Sequence, residues 1–201
     1  YDVGEAARVR EKYGNVDVLI KAAQANETND CKILIADGED INTKAITASL
    51  NFMTPLTVAA EIGSVEVCRF LVSQPGCDIN MCGFSNRSPL LFSAWNGHQN
   101  IVEILLAQPT IAASLEKSDD DGNTPLAKAN SAEIKILIQD KINHPGNQLS
   151  MSRVAYQNFR QPGNLPIHSA ISAGCNIEVI KMLLNNEVNC DVAMEKNDNG
   201  D

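Results

Sequence analysis

The chain has 201 residues, of which 44% are hydrophobic and 20% are charged, a composition typical of a folded protein. Its formal net charge of −9 argues against nucleic acid as a partner and predicts repulsion from anionic membranes, because both kinds of binding depend on Lys and Arg. No stretch approaches the ~20 apolar residues of a membrane span, so we expect a soluble protein that binds no membrane. The six cysteines form no CxxC pair, which favours a reduced, cytoplasmic protein.

The first predicted element is a short helix within residues 1–15. Ala6, Ala7 and Val9 lie among charged residues there, and the segment ends at Gly14. We expect this segment to be an N-terminal helix that either caps the array or belongs to something upstream.

From residue 16 onward, a pair of apolar segments recurs along the chain. Several copies begin with Ser or Thr before Pro, as at Thr54 and Ser88, which predicts a capped helix start. A glycine such as Gly97 then turns the chain into a second segment, where Ile101 and Leu105, with Ile104 between them, are predicted to share one helical face. The copies cover residues 16–53, 54–87, 88–123, 124–138 (shortened) and 165–201.

The spacing of these copies, about 33 to 36 residues, together with the Thr-Pro-Leu start at Thr54 and Thr124, resembles the ankyrin repeat. The resemblance implies an all-α fold, a solenoid of stacked antiparallel helix pairs with projecting hairpin fingers. The residues alone indicate the same class, since helix pairs with one apolar face must stack to bury it.

Departures from a regular repeat are also predicted. The first finger has four more residues than the second, and the fourth copy lacks about one helical turn. Residues 139–164 contain Pro-Gly breakers and are predicted to be an irregular insertion that interrupts the stack and offers a second candidate surface. The last residues, 197–201, resemble the turn before another repeat, which favours a fragment of a longer protein.

The polar residues give no catalytic pattern. Cys31 and Cys68 fall at equivalent places in apolar segments and are predicted to be buried thiols. His98 and His168 occupy positions where the ankyrin resemblance implies a structural histidine, and His144 has no nucleophile or carboxylate motif near it. We therefore expect no enzyme and no cofactor.

The acidic run at residues 119–121 is the one candidate for a metal site. If Gly122 is the sixth position of a calcium loop, the twelfth position is Lys128, where such a loop requires Glu. The run is therefore predicted to be a solvated finger tip, and we expect no metal site.

The ankyrin resemblance implies a protein-protein interaction module that binds its partner on the concave face and finger tips. Trp and Arg are enriched at binding hot spots, which favours Trp95 and Arg87, although Trp95 could equally pack against the next repeat. We expect a monomer whose partner is a protein or peptide with an apolar anchor and a basic end. The predicted partner-binding residues are Met53, Ile62, Phe84, Ser85, Arg87, Trp95, Asn96, Asp120, Asp121 and Asn123.

Two other hypotheses remain open. Asn42, and less clearly Asn80, resemble the ankyrin asparagines hydroxylated by the 2-oxoglutarate oxygenase that inhibits hypoxia-inducible factor, although a purely structural role in bonding the finger backbone is favoured. Alternatively, the array is a targeting or spacer domain of a larger multidomain protein, such as an effector or enzyme, whose activity lies outside these residues.

Overall fold

The computed structural model describes residues 3–45 and 52–145, and within these residues every regular element is helical. The predicted all-α class is confirmed. The helices are α1 (Val3–Tyr13), α2 (Val18–Gln24), α3 (Thr28–Ala36), α4 (Pro55–Ile62), α5 (Val65–Ser73), α6 (Pro89–Asn96), α7 (Gln99–Leu106), α8 (Ala112–Leu115), α9 (Pro125–Lys128) and α10 (Ala132–Asn143), with a 3₁₀ turn at Phe84–Asn86.

Local sequence sets where these helices begin and end. Thr54, Ser88 and Thr124 each accept a hydrogen bond from the backbone N–H three residues on, and each is followed by a proline at the first helical position. Helices α4 and α6 both end in left-handed glycines, Gly63 with φ 85° and Gly97 with φ 79°. Both predicted boundary signals are therefore confirmed.

The helices form two layers. The inner helices α2, α4, α6 and α9 pack side by side, and the outer helices α3, α5, α7 and α10 do the same behind them. Leu19 and Leu90 from the inner layer and Leu34, Leu71 and Leu105 from the outer layer have no exposed surface. Burying a leucine side chain is worth roughly 2 kcal/mol, so this shared seam is the main stabilising feature of the stack.

Helix α7 shows how an outer helix fits the seam. Ile101 and Leu105 are fully buried as predicted, but Ile104 is only half-buried, and the buried stripe instead continues through Val102 and Leu106. The stripe is therefore wider than a strict i, i+3, i+4 pattern, because the helix is packed between the inner layer and its neighbours α5 and α10.

Helix α1 packs against α3 and α2 and is held to the first repeat by charge as well as by apolar contact. Val9 is buried, while Arg10 donates to Glu39 at 2.9 Å and Lys12 to Asp30 at 2.8 Å. These side chains are partly exposed, so the ion pairs contribute less than the burial does.

The fourth copy is shortened as its sequence predicts. Helix α9 has four residues where α4 and α6 have eight, a loss of about one turn. Its chain then leaves the helix at Ala129, and the amide of Asn130 donates to the carbonyl of Ala94 in α6 at 3.0 Å. The short helix is thereby still joined to its neighbour.

One predicted boundary is wrong. The irregular insertion is predicted to begin at Gln139, but α10 continues to Asn143, because Ile138 and Lys141, three residues apart, are buried on the same helical face. Residues 146–164 of the insertion, the fifth copy at 165–201 and His168 lie outside the described residues, as do residues 46–51 of the first finger.

The cysteines at equivalent positions are buried thiols, as predicted. Cys31 in α3 and Cys68 in α5 have no exposed surface, and both are free thiols. Burial raises the pKa of each thiol to about 12, because a thiolate would be poorly solvated there. Both act as small apolar side chains in the outer layer.

Candidate functional site

The exposed apolar side chains are unevenly distributed over the described residues. Ile62 and Trp95 lie at the C-terminal ends of the inner helices α4 and α6, and Phe52 and Phe84 lie in the segments that precede those helices. Within residues 3–45 and 52–145 the remaining large exposed apolar side chain is Val16, ahead of α2, and none belongs to an outer helix. The inner helices and fingers therefore carry the apolar surface of the described array.

Two fingers have closely similar hairpin geometry. The amide of Gly83 donates to the carbonyl of Arg87, and the amide of Asp119 donates to the carbonyl of Asn123, each at 3.0 Å. In the first of these hairpins Ser85 takes a left-handed conformation with φ 51°, which closes the turn in three residues. The predicted projecting fingers are confirmed for these two copies.

The two fingers are also joined to each other. The backbone amide of Asp120 donates to the carbonyl of Ser85 at 3.1 Å, and the side-chain amide of Asn86 donates to the carbonyl of Ser118 at 3.3 Å. Ser85 thus contributes its backbone to the contact between fingers, and the two tips form one continuous surface.

Four side chains form an aromatic–cation cluster at the base of these fingers: Phe84, Arg87, Trp95 and Lys128. The guanidinium carbon of Arg87 lies 4.6 Å from the centroid of the Trp95 ring and 5.7 Å from that of Phe84. The Lys128 ammonium lies 4.7 Å from the same Trp95 centroid. Cations at these distances are attracted to the ring faces, typically by about 0.5–1 kcal/mol at exposed sites.

Arg87 is also paired with the next finger. Its Nε donates to Oδ2 of Asp119 at 3.2 Å and its Nη2 to Oδ2 of Asp121 at 3.3 Å. Only 15% of the Arg87 side chain is exposed, and the Asp119 side chain has no exposed surface. The cation predicted to meet a partner is therefore fixed in place by its own chain.

Asp119 organises the acidic finger. Its carboxylate accepts hydrogen bonds from the amides of Asp121 at 3.0 Å and Asn123 at 2.8 Å, and from the Asn123 side chain at 3.1 Å. Burial alone would raise the pKa of Asp119, but the hydrogen bonds from Asn123, Arg87 and the Asp121 amide outweigh burial and hold that pKa below its usual value.

One prediction about the acidic finger is therefore corrected. The acidic run is not solvated throughout, because Asp119 is buried as a hydrogen-bond acceptor inside its own finger. Asn123 is half-buried and its side chain is bonded to Asp119, while its contact with a partner stays a prediction. Asp120 and Asp121 remain exposed at the tip.

The C-terminal ends of the inner helices are bonded to each other. The side-chain amide of Asn96 donates to the carbonyl of Glu61 at 3.0 Å, and Nε2 of His98 lies 2.9 Å from the same oxygen. The His98 ring also covers Gly63, where an added Cβ would lie 2.7 Å from the ring. The structural role expected for His98 is confirmed.

Met53 is not a surface residue. It was predicted to contact a partner, but only 4% of it is exposed, and its carbonyl accepts a hydrogen bond from the amide of Ala45 at 2.9 Å. Its sulfur lies against the backbone of Gly83 in the next finger, where an added Cβ would approach it to 2.6 Å. Met53 fills the space between neighbouring fingers, whereas Ile62 stays exposed as expected.

Lys128 and Phe52 are surface residues that the sequence does not single out. In the sequence Lys128 stands out only because it breaks a calcium loop. Its contact with Trp95 follows from the packing of α9 against α6, which repeat alignment could have indicated because successive inner helices are neighbours. Phe52 lies near the end of the first finger and carries no motif.

The two candidate hydroxylation sites link successive repeats. The Asn42 side chain donates to the carbonyl of Gly76 and accepts from the amide of Asp78, both at 2.8 Å. The Asn80 side chain donates to the carbonyl of Thr110 at 2.8 Å, one repeat further on. Both amides thus satisfy backbone groups of the following repeat, which is what the structural interpretation requires, while hydroxylation stays a prediction.

Within the described ranges, no group of three or more His, Cys, Asp or Glu side chains is placed to hold a metal ion. His144 lies next to Asp140, one helical turn earlier, with 3.3 Å between Nδ1 and Oδ1. None of the helices in residues 3–45 and 52–145 combines the length and apolar content that crossing a membrane requires.

Comparison with known proteins agrees with this architecture. Residues 19–116 match a family model described as ankyrin repeats in three copies. The chain is similar to transient receptor potential cation channel subfamily A member 1 of Homo sapiens, with 26% identity over 188 residues that cover 93% of this chain and 16% of the relative. It is also similar to the ankyrin repeat and KH domain-containing protein mask of Drosophila melanogaster, with 40% identity over 76 residues, 37% of this chain and 2% of the relative.

A third relative is cortactin-binding protein 2 of Rattus norvegicus, which is 37% identical over 73 residues, 36% of this chain and 4% of the relative. The chain therefore spans less than a fifth of the length of each of these relatives.

Proposed function

We propose that this chain, whose residues 19–116 are ankyrin repeats, binds a partner protein through its inner helices and finger tips. Repeat stacks generally use such extended surfaces as protein-interaction modules. The observation that carries the proposal is the distribution of exposed apolar side chains: Ile62, Phe84 and Trp95 lie on this side, and no large exposed apolar side chain lies on an outer helix of the described residues.

The aromatic–cation cluster is the proposed centre of this surface. Trp95 is 37% exposed, so part of its ring is available to a partner while the rest is held by Arg87 and Lys128. Because Asp119 already holds the Arg87 side chain in place, a partner would not have to order that side chain, and the conformational entropy lost on binding is smaller. The proposed contact residues are Ile62, Phe84, Ser85, Arg87, Trp95, Asn96, Asp120, Asp121 and Asn123.

The proposed partner is a protein segment with an apolar anchor and a basic end. The anchor would lie on Phe84 and Trp95, which are the exposed apolar groups of the cluster. The basic end would meet the exposed carboxylates of Asp120 and Asp121. The Asp121 carboxylate also pairs with Arg87. We propose that the array does this as an intracellular monomer.

A second proposal is that the array serves as a targeting or spacer module of a larger protein. The curated relatives favour it, since the match covers only 16% of a protein named as a cation channel subfamily member and smaller shares of the others. In this case the chemistry of the whole protein would lie in other segments, and the array would position them.

Affinity capture followed by direct titration tests the binding proposal. The wild-type chain and a Phe84→Ala/Trp95→Ala variant are used to capture proteins from lysate of the source cell, and a captured protein is then purified and titrated. We expect the double variant to bind at least about 2 kcal/mol more weakly, roughly a 30-fold rise in Kd, because both substitutions remove central apolar contacts.

The matched control is Arg69→Ala on α5, an exposed side chain of the outer layer. It should leave the Kd unchanged. Equal binding by all three proteins, with the double variant still helical by circular dichroism, would show that the partner uses another surface and would favour the spacer proposal.

A further inference from the structure

We infer that the partner supplies a carboxylate to Lys128, directly beside its apolar anchor on Trp95. This inference rests on the proposed function, since it names the chemistry of the group that the same surface recognises. It adds an acidic group at the base of the fingers to the basic end proposed at their tips.

The two cations around Trp95 differ in their counterions. Arg87 and Lys128 both lie within 4.7 Å of the Trp95 ring centroid. Arg87 is neutralised by Asp119 and Asp121, whereas Lys128 has no carboxylate within 4.0 Å among the described residues. The two cations are therefore electrostatically different although they share one ring.

Lys128 differs from the other lysines without an ion pair in its place on the ring of Trp95, at the centre of the proposed surface. Lys128 is half-buried, with its ammonium held against the indole, and so is partly removed from water. An ammonium in such a position gains more from a carboxylate than a fully solvated one does, because the effective dielectric constant is lower there.

Two of the three acidic residues in the adjacent finger are already engaged elsewhere. Asp119 is buried in its own finger and bonded by Arg87 and Asn123, so it cannot turn to Lys128 without breaking that hairpin. Asp121 is paired with Arg87. Asp120 lies at the exposed tip, where its backbone is bonded to Ser85 in the neighbouring finger.

Charge complementarity therefore favours a partner with two charges in a fixed order. In this partner, an acidic side chain pairs with Lys128 next to an apolar side chain that packs on Trp95. A basic side chain lies further along the partner and pairs with Asp120. Lys128 has no counterion among residues 3–45 and 52–145, so a neutral partner would leave its half-buried ammonium unpaired with respect to these residues once the interface excludes water, which is unfavourable.

The single tryptophan of the chain makes this testable without knowing the natural partner. Intrinsic fluorescence of Trp95 is followed while the protein is titrated with three synthetic peptide mixtures. Each mixture has a central Leu or Phe anchor between randomised positions, and the mixtures differ only in the residue flanking the anchor, which is Glu, its isostere Gln, or Lys.

We expect the Glu mixture to bind roughly two- to fivefold more tightly than the Gln mixture, the range for a partly exposed ion pair. That preference should disappear in Lys128→Met, which keeps most of the apolar stem, and persist in Lys135→Met, a half-buried lysine on α10. It should also weaken in wild type when salt is raised from about 50 to about 500 mM.

Equal binding of the Glu and Gln mixtures would overturn the inference and leave the proposed function standing, because the anchor would still bind. Tighter binding of the Lys mixture would overturn it as well. A tryptophan signal that none of the mixtures changes would likewise count against it, while the capture experiment decides the proposed function independently. The salt series needs no variant, so the inference stays testable even if Lys128→Met does not fold.

Discussion

Arg87 and Asp119 form an ion pair between two adjacent fingers, with 3.2 Å between Nε and Oδ2. The pair joins a guanidinium that lies against the rings of Phe84 and Trp95 to a carboxylate with no exposed surface. Stability of the finger contact and presentation of the aromatic side chains therefore depend on the same two residues.

Replacing Arg87 should destabilise the fold more than its surface position suggests. Arg87→Ala leaves the buried Asp119 carboxylate with only its hydrogen bonds inside the finger, and we expect the free energy of unfolding in urea to fall by about 2–4 kcal/mol. The comparison variant is Arg69→Ala, whose side chain is 62% exposed and lies 4.0 Å from Glu66. That change should cost less than about 0.5 kcal/mol. Similar losses in the free energy of unfolding in the two variants would show that the buried Arg87–Asp119 pair does not contribute to stability.

Stability should fall in acid partly because of Asp119. Since its pKa in the folded protein is lowered, its contribution is fully present above the usual carboxyl pKa of about 3.9 and is lost as the pH falls through the lower folded value. The urea midpoints of wild type and Asp119→Asn, measured from about pH 6 to about pH 3, should therefore converge below about pH 4. Other carboxylates titrate in both proteins and cancel. A difference that stays constant over this range would contradict the assignment.

Gly63 should tolerate alanine less well than Gly122, although both have positive φ. Gly63→Ala adds a Cβ 2.7 Å from the His98 ring, whereas nothing lies within 4 Å of the corresponding atom at Gly122. We expect losses in unfolding free energy of about 2–3 kcal/mol and about 1 kcal/mol, respectively. In a double-mutant cycle with His98→Ala, the coupling energy at Gly63 should exceed about 0.5 kcal/mol. Additive losses would mean that the ring moves away freely.

Asn42 should contribute to stability through its contacts with the next repeat. Asn42→Ala removes a donor to Gly76 and an acceptor for Asp78, and we expect a loss of about 1–2 kcal/mol in the free energy of unfolding. Asn42→Asp is the informative second variant, because it keeps the acceptor for Asp78 but turns a carboxylate oxygen toward the Gly76 carbonyl, and its loss should be at least as large. Equal stability of all three proteins would contradict a linking role.

Hydroxylation of Asn42 is tested separately. Mass spectrometry after incubation with the 2-oxoglutarate oxygenase and its cosubstrates would show a gain of about one oxygen on Asn42 if the site is a substrate. Because both ends of the side-chain amide are bonded in the folded state, we expect the gain to increase in a variant that loosens the following loop, such as Gly76→Pro.

Features set by local chemistry were predictable from the sequence. The Thr54 and Ser88 caps, the left-handed turn at Gly97 and the buried Cys68 each follow from residues within one or two turns of the chain. Repetition of the same local signals then identified the stacked helix pairs, since one weak signal that recurs several times becomes a strong one.

Features set by a neighbouring repeat were not predictable in the same way. Met53 looks like a finger residue, but it is buried because the next finger covers it. Asp119 looks solvated, but Arg87, 32 residues earlier, reaches its carboxylate. Lys128 meets Trp95 because α9 packs against the neighbouring helix α6, a contact that only alignment of successive repeats could have indicated. Each case depends on a distance between repeats, which periodicity alone does not give.

The side-chain hydrogen bonds between repeats determine how far a local destabilisation extends along the array. Asn42 reaches 34 residues ahead to Gly76, Asn96 reaches 35 residues back to Glu61, and Asn80 reaches 30 residues ahead to Thr110. Each link spans a single repeat interface. A substitution or a mechanical load at one finger is therefore transmitted to the adjacent repeat and attenuated beyond it, as in a row of nearest-neighbour couplings. A repeat array with such couplings can unfold locally at one interface while the other repeats remain folded.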